Sequence, residues 1–159
     1  MDFEKQLAKV KAAAERKEAR LVKRLLLAKG KLTKQKLPPA SKLRKKLDKV
    51  FAVWVKARGS SIGKNQCVTC LKWFPISELQ AGHYVSRTHT STRWDERNVF
   101  PQCVTDNVFK NGNLPRYTLF LQEKFGSDII QELVSKSTVI KKMTKQDYLD
   151  LIQKYEIPT

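Results

Sequence analysis

The sequence contains few cysteines and no long apolar run. Three of its 159 residues are cysteine, an odd number, and the longest apolar run, residues 50–55, is far too short to cross a bilayer. Residues 1–5 show no apolar leader segment. We therefore expect neither a disulfide framework nor a membrane span, but a cytoplasmic protein whose reduced thiols are available to a metal ion.

Acidic residues are scarce in the first third of the chain. Residues 1–58 carry 19 Lys and Arg against 5 Asp and Glu, whereas residues 59–159 carry 13 against 10. A helix whose lysines only keep it soluble would mix the two signs more evenly. The net charge of +17 therefore favours a basic extension that binds a polyanion, attached to a nearly neutral folded unit.

Glycine and proline are absent from residues 2–29, which predicts a long basic helix that Gly30 ends. A linker follows and closes at Pro38 and Pro39. A second helix is expected from Ser41, acting as N-cap, to about residue 58. Its apolar residues recur at helical spacing and must pack on the body of the domain: Leu43, Leu47, Val50, Phe51, Trp54 and Val55.

The middle of the chain alternates short apolar pieces with polar loops. This pattern predicts strands near residues 67–74, 83–85 and 99–103, with a helix after Cys103.

The last third of the chain predicts three helices. Pro115 suits the first turn of a helix that Gly126 ends. Ser127 is expected to cap the second helix, and Thr144 with Asp147 has the pattern of a capping box for the third.

Cys67 and Cys70 form a C-x2-C pair on a predicted turn between two short strands, where both thiolates can point at one ion. Cys103 and Asp106 repeat that spacing and would complete a tetrahedral zinc site. In the alternative interpretation, Cys103 is a small buried apolar residue and Asp106 caps the following helix. We favour zinc because small, loop-rich segments rarely fold without a cross-link.

His83 lies between the two pairs of metal ligands. It follows Gly82, which we interpret as allowing a sharp turn. A neutral imidazole near pH 7 can take a proton from water that attacks phosphorus. Asn98 and Asn107 could bind a metal ion or orient the imidazole, although turn and cap positions are the ordinary use of asparagine.

At these residues the chain resembles the phage NinG/Rap family of recombination endonucleases, a branch of the HNH (ββα-metal) nucleases. The resemblance covers roughly residues 64–126, and the lysine-rich amino-terminal arm is also similar. The matching elements are Cys67-x2-Cys70, Ala81-Gly82-His83-Tyr84, Glu96-Arg97-Asn98, Gln102-Cys103, Asn107 and Lys110-x-Gly112-Asn113.

The resemblance implies an α+β, mostly helical fold with a small zinc-stapled ββα-metal core. The arm and linker would occupy residues 1–39 and the nuclease domain residues 40–159. Within that domain, the core would span about residues 64–113 and carboxy-terminal helices residues 114–157. The implied activity is metal-dependent cleavage of branched DNA, such as Holliday junctions or D-loops, in the cytosol of a phage's host.

Site residues also follow from the resemblance. His83 would be the general base, Asn98 would orient the base or the substrate, and Asn107 would bind a catalytic magnesium or manganese ion. Lys110 would lie near the scissile phosphate. The further residues expected to contact DNA are Arg16, Lys17, Arg20, Lys23, Arg24, Lys45, Lys46, Arg87 and His89.

Two features depart from the family pattern. Asp106 stands where the family usually has a fourth cysteine. Gly82 stands where HNH enzymes commonly have an acidic metal ligand, and Gln80 is also neutral. Asp95 or Glu96 could supply the missing carboxylate, and the sequence does not decide between them.

Two other functions fit parts of the sequence. A non-catalytic zinc-ribbon protein that binds DNA would explain the charge and the cysteines, but not His83, Asn98 and Asn107. A basic RNA-associated protein would explain only the arm. A homodimer is a further expectation for the nuclease, because resolving a four-way junction requires two symmetric cuts.

Overall fold

A computed structural model describes residues 37–156 together with Arg20, and the residues from Pro39 onward belong to one compact unit. The unit has an α+β fold with two small antiparallel sheets. The predicted helical arm, with Arg16, Lys17, Lys23 and Arg24, lies outside the described residues. The elements are α1 (Ala40–Ala57), β1 (Lys64–Gln66), β2 (Trp73–Pro75), β3 (Leu79–His83), β4 (Val99–Cys103), a short π-helix (Thr105–Phe109), α2 (Leu114–Phe125), α3 (Ile129–Ser137) and α4 (Lys145–Tyr155).

Helix α1 buries the apolar face that its sequence predicts, with Leu43, Leu47, Phe51 and Val55 inside the protein. The prediction that Ser41 is its N-cap is wrong. The cap is Pro39, whose carbonyl accepts bonds from the backbone N–H groups of residues 42 and 43 at 2.9 and 3.2 Å. Proline fixes a backbone angle suited to a helix start, so the helix begins before the serine.

Helix α4 packs on α1 through Tyr148, Ile152 and Tyr155, which are buried in one apolar cluster with the inner face of α1. Phe51 and Tyr155 meet edge to face with ring centroids 4.8 Å apart. The capping box predicted at the start of α4 is confirmed, because Thr144 and Asp147 exchange both hydrogen bonds. We call this pair of helices and its apolar contacts the α1–α4 core.

The first sheet pairs β1 with β2, and the residues between them form a tight turn. The second sheet pairs β3 with β4 from Leu79 opposite Cys103 to His83 opposite Val99. The strand predicted at residues 83–85 therefore lies earlier, at Leu79–His83, and ends where the prediction began. The apolar residues of β3, Leu79 and Ala81, do alternate, but alanine and glycine favour strands only weakly, so its sequence gives a poor strand signal.

Helices α2 and α3 pack on the second sheet, and Phe100, Tyr117, Leu121, Ile129 and Leu133 form their shared buried cluster. The predicted cap at Ser127 is wrong, because the N-cap position of α3 is Asp128. Ser127 instead donates its hydroxyl to the Asp128 carboxylate at 3.0 Å. No helix within residues 37–156 is both long and apolar enough to span a membrane.

Candidate functional site

Four side chains from distant parts of the sequence meet in one cluster: Cys67, Cys70, Cys103 and Asp106. Their ligand atoms all lie within 4.8 Å of one another, and the sulfurs of Cys70 and Cys103 are 3.9 Å apart. Zinc–sulfur bonds of about 2.3 Å in a tetrahedron place two sulfurs roughly 3.8 Å apart. This metal cluster could therefore hold a metal ion, and its donors are compatible with zinc.

The carboxylate of Asp106 gives a second reason to expect a cation. Its side chain is 1% exposed, and its Oδ2 accepts a hydrogen bond from Thr69 Oγ1 at 2.6 Å. Its Oδ1 is 3.0 Å from Lys110 Nζ, an ion pair by distance. No hydrogen-bond donor among the described residues points correctly at Oδ1. A buried carboxylate oxygen without a directed donor suits a metal ligand.

Two members of the metal cluster, Asp106 and Cys67, have lowered pKa values, which favours their anionic forms. Burial raises the pKa of Asp106, but the hydrogen bond from Thr69 and the contact with Lys110 outweigh it, so the pKa lies below its ordinary value. Burial also raises the pKa of Cys67, and hydrogen bonds from Thr69 and the backbone again lower it overall. Cys70 differs, because burial raises its pKa to about 11.

A cavity of about 440 Å³ lies on the other side of the short π-helix, which contributes Asn107 to its lining. His83 reaches the same cavity from the end of β3, and Gln80 reaches it from the middle of that strand. Two consecutive residues of the helix therefore belong to different sites: Asp106 is part of the metal cluster, and Asn107 lines the cavity. We call this space the His83 cavity.

The ring of His83 lies between two backbone carbonyls. Its Nε2 is 3.0 Å from the oxygen of Arg93, and its Nδ1 is 3.3 Å from the oxygen of Ala81. A neutral imidazole has one N–H, and the shorter contact assigns it to Nε2, which donates to Arg93. Nδ1 then carries the lone pair that can accept a proton.

The pKa of His83 is lowered from its ordinary value. Burial is the largest cause, and the positive charges of Arg87 and Arg93 lower it further, against the two carbonyl contacts that raise it. The imidazole is therefore neutral at neutral pH, which is the state that a general base requires.

Asp48, a residue of α1 that was not among the predicted site residues, lines the His83 cavity. Arg93 donates to its two carboxylate oxygens at 2.9 and 2.7 Å, and Trp94 Nε1 donates to it at 3.1 Å. Since the carbonyl of Arg93 contacts His83, helix α1 holds the segment that orients the imidazole. The one available signal was that Asp48 is the single acidic residue of a lysine-rich helix.

Asn107 and Gln80 form a second oriented pair. Asn107 Nδ2 donates to Gln80 Oε1 at 2.6 Å. This bond uses the amide nitrogen of Asn107 and leaves its oxygen as a ligand for a cation. In the sequence Gln80 is simply a neutral residue, and its partner lies 27 residues further along the chain, too far away for a local pattern to reveal it.

Asn98 is fully buried and contacts only the loop between β3 and β4 through its side chain. Its Oδ1 accepts from the backbone N–H of Val85 at 2.7 Å, and its Nδ2 donates to the carbonyls of Val85 and Thr92 at 3.0 Å each. The side chain does not reach solvent. Asn98 thus fixes the loop that carries Arg93, and can orient His83 only through that loop.

Gly82 is required by close packing, and the interpretation that it allows a sharp turn is wrong. It lies within β3 opposite Phe100. A Cβ atom at this position would lie 1.9 Å from Gln102 Oε1. The buried Gln102 amide donates to the Gly112 carbonyl at 2.8 Å and to Thr69 Oγ1 at 3.3 Å, so it cannot move aside without losing both bonds.

The two carboxylates considered for a catalytic ion lie elsewhere. Asp95 pairs with Lys136 at 2.7 Å, and Glu96 pairs with Lys154 at 2.7 Å. Neither lines the His83 cavity, and Asp48 is the carboxylate that does.

The basic residues predicted to contact DNA are dispersed. Arg87 lines the His83 cavity, and Lys110 lies beside the metal cluster. His89 lies outside that cavity, in a separate hollow, with its Nδ1 3.1 Å from the carbonyl of Ser137. On α1, Lys46 pairs with Glu156 at 3.1 Å, while Lys45 is exposed, as is Arg20.

Comparisons with known proteins identify relatives of this chain. The family model described as the bacteriophage lambda NinG protein matches residues 1–158. Protein NinG of Salmonella phage P22 is 30% identical over 102 residues, which cover 59% of this chain and 50% of the relative.

Two further relatives give the same result. Protein NinG of Escherichia phage 933W is 30% identical, with 59% of this chain and 51% of the relative covered. Protein NinG of Escherichia phage lambda is 29% identical, with 59% and 50% covered. The chain spans about half the length of the curated relatives that it matches. No solved structure matches it.

Proposed function

The chain belongs to the NinG family of phage proteins, and we propose that it is a metal-dependent, structure-selective endonuclease that cleaves branched DNA. The observation that carries the proposal is that His83 and Asn107 line one cavity beside a cluster of potential metal ligands. The class of substrate, such as Holliday junctions or D-loops, comes from the resemblance of the sequence to recombination endonucleases.

The order of elements supports an HNH-like core. The antiparallel pair β3–β4 is followed by the short π-helix, which is the strand–strand–helix order of that class. The proposed base ends the first strand, and the proposed ligand Asn107 lies on the helix. A structural zinc ion in the metal cluster would fix the helix against the turn between β1 and β2.

Cleavage begins with a water molecule in the His83 cavity. His83 Nδ1 takes a proton from the water as its oxygen forms a bond to phosphorus. One ester bond between phosphorus and oxygen then breaks, and its oxygen takes a proton from solvent water, leaving a phosphate on one strand end and a hydroxyl on the other. The carbonyl of Arg93 holds Nε2, so that Nδ1, which lies beside the Ala81 carbonyl, is the nitrogen left to take the proton.

A catalytic ion would be held by Asn107, whose amide oxygen is the kind of donor that magnesium and manganese prefer. Such an ion supplies positive charge for the phosphate as it becomes more negative. Gln80 orients Asn107 for this role by accepting its amide hydrogen.

DNA binding follows from the charge of the chain. The net charge of +17, concentrated in residues 1–58, favours contacts with phosphates that do not depend on base sequence. Affinity should therefore fall steeply as salt concentration rises. A homodimer would supply the two symmetric cuts that a four-way junction requires.

The experiment compares cleavage of a four-way junction and of a matched linear duplex, with Mg²⁺ or Mn²⁺. We expect metal-dependent nicking of the junction, and His83→Ala should slow it by about 100-fold or more. His89→Ala is the matched control, because His89 lies outside the cavity and its loss should preserve the rate at saturating DNA.

Unchanged cleavage by the His83→Ala variant would refute the assigned base. Tight junction binding without cutting in either metal ion would refute the enzyme and favour the non-catalytic zinc-ribbon alternative. Melting temperature and zinc content of each variant show whether it is folded.

A further inference from the structure

The short π-helix, which contributes Asn107 to the His83 cavity, also exposes an apolar surface. Phe109 is 77% exposed, the most exposed aromatic side chain among the described residues, and the adjoining Val108 is 50% exposed. Two residues before Phe109, Asn107 lines the cavity. The Cα atom that carries the ring therefore lies within about 7 Å of the Cα atom of Asn107.

The ring is carried by an element that is fixed at neighbouring positions. Asp106 is held by Thr69 at 2.6 Å, and Asn107 is held by Gln80 at 2.6 Å. An aromatic side chain exposed on such a fixed helix is a common feature of binding surfaces, because little order is lost when a partner covers it.

Charge indicates which partner covers Phe109. The next residue is Lys110, whose side chain is 57% exposed, and Arg87 lines the neighbouring cavity. The whole chain carries +17. An aromatic ring among cations fits a nucleobase with its phosphates, since bases stack on aromatic rings while the phosphates pair with the cations.

Paired bases within a duplex offer only their edges to the grooves, and their flat faces are covered by neighbouring pairs. Faces become accessible where strands separate, as at the branch point of a junction. We propose that Phe109, with Val108 beside it, stacks on an unpaired base at the branch point of the DNA whose backbone enters the His83 cavity. This inference rests on the proposed function and adds to it the contact that distinguishes branched from linear DNA.

The test measures binding in a His83→Ala background, without added divalent ions, so that no DNA is cut. The probes are a four-way junction with 2-aminopurine at the branch point and a linear duplex with the same label. We compare Phe109→Ala, Phe109→Trp and Ile140→Ala. The last is a matched control, because Ile140 is an apolar residue that is 89% exposed and lies outside the cavity.

Loss of one stacked base should raise the Kd for the junction about tenfold in Phe109→Ala and leave the Kd for the duplex within about twofold. Phe109→Trp should retain junction affinity and the quenching of 2-aminopurine, and Ile140→Ala should change neither. Equal weakening on both DNAs, or no weakening on either, would overturn the inference. A dimer that Phe109→Ala dissociates in sedimentation, with junction binding unchanged, would assign the surface to a second copy of the chain.

Failure of this inference is separable from failure of the proposed function. If the wild-type protein cuts no junction in Mg²⁺ or Mn²⁺, yet Phe109→Ala selectively weakens junction binding, the nuclease is wrong and the stacking surface remains. If the Phe109→Ala protein cuts junctions with the wild-type preference over duplex, the nuclease remains and the stacking surface is wrong.

Discussion

The α1–α4 core and the metal cluster are held together by opposite kinds of contact. In the first, buried side chains such as Leu47, Phe51 and Ile152 pack without polar partners. In the second, two buried thiols, the half-buried thiol of Cys70 and a buried carboxylate meet, and Thr69 links Cys67 to Asp106. Apolar packing stabilises the helices directly, whereas a buried anionic cluster is stable only if a cation compensates its charge. The two regions should therefore respond differently to metal loss.

The largest expected effect is that of removing the metal ligands. Cys70→Ser should reduce the zinc content to well below one per chain and abolish cleavage, because four close polar ligands would lose their shared ion. Amide hydrogen exchange should accelerate in residues 64–83 and 99–110, while Ala40–Ala57 and Lys145–Tyr155 stay protected. Amide hydrogen exchange measured by mass spectrometry tests both the faster exchange in the first set of residues and the retained protection in the second.

Leu47→Ala perturbs the α1–α4 core instead of the metal cluster and serves as the control. Truncating this fully buried residue should lower the free energy of unfolding by about 3 kcal/mol. The zinc content should remain that of the wild type. If Cys70→Ser and Leu47→Ala accelerated exchange in the same residues, the two regions would form one cooperative unit and the comparison would fail.

The next effect concerns Gly82. Gly82→Ala should cost about 3 kcal/mol of unfolding free energy, because its methyl group occupies the place of the Gln102 amide. Gly59→Ala is the control, since a Cβ there meets open space and the cost of about 1 kcal/mol comes only from its φ of +75°. Urea unfolding of both variants gives the comparison. A Gly82→Ala protein as stable as the Gly59→Ala protein would contradict the packing explanation.

A smaller effect is expected at Asp48, which links the α1–α4 core to the His83 cavity. Asp48→Asn should weaken the two hydrogen bonds that Arg93 donates to this side chain, and lower the cleavage rate at saturating DNA by about tenfold. DNA affinity should stay equal or tighten, because a negative charge leaves the cavity. The control is Asp150→Asn, which removes an exposed carboxylate of α4.

Steady-state kinetics separate the explanations for Asp48. A lower rate with unchanged metal dependence supports positioning through Arg93. A shift in the Mg²⁺ concentration needed for half-maximal rate would make Asp48 a metal ligand instead. An unchanged rate would remove it from the mechanism.

The smallest expected effect is in the pH profile. His83 must be neutral to act as base, and its pKa is lowered below the ordinary 6.5 by burial and by Arg87 and Arg93. The cleavage rate should therefore rise with pH and level off, with the midpoint of the rise below 6.5. Initial rates between pH 5 and 8 check the sign. A midpoint above 6.5 would mean that another group limits the rate.

The regular parts of the fold were predictable because their signals are local. The buried face of α1 follows from a spacing of four residues, and the capping box at Thr144 follows from two residues three apart. The predicted caps were wrong by one or two residues, at Ser41 because the helix already starts after Pro39 and at Ser127 because Asp128 occupies the cap position. The four residues of the metal cluster were predicted together, since their spacing repeats.

The residues that position His83 were not predictable in the same way. Asp48 meets Arg93 across 45 residues of sequence. The group that contacts His83 is a backbone carbonyl, which every residue has. Glycine is likewise required at position 82 because the side chain of Gln102, on the neighbouring strand, occupies the space where a Cβ atom would lie. Such contacts are set by tertiary packing and leave no pattern in the chain.

The adjacency of Asp106 and Asn107 restricts how this segment can change length. One backbone step separates a side chain in the metal cluster from a side chain in the cavity. Inserting or deleting a single residue between Cys103 and Asn107 would rotate one of the two out of place. The exposed residues 139–142 of the loop between α3 and α4 carry no such restriction, because they belong to neither site. Variation in length should therefore be tolerated in that loop and lethal to activity within the short helix.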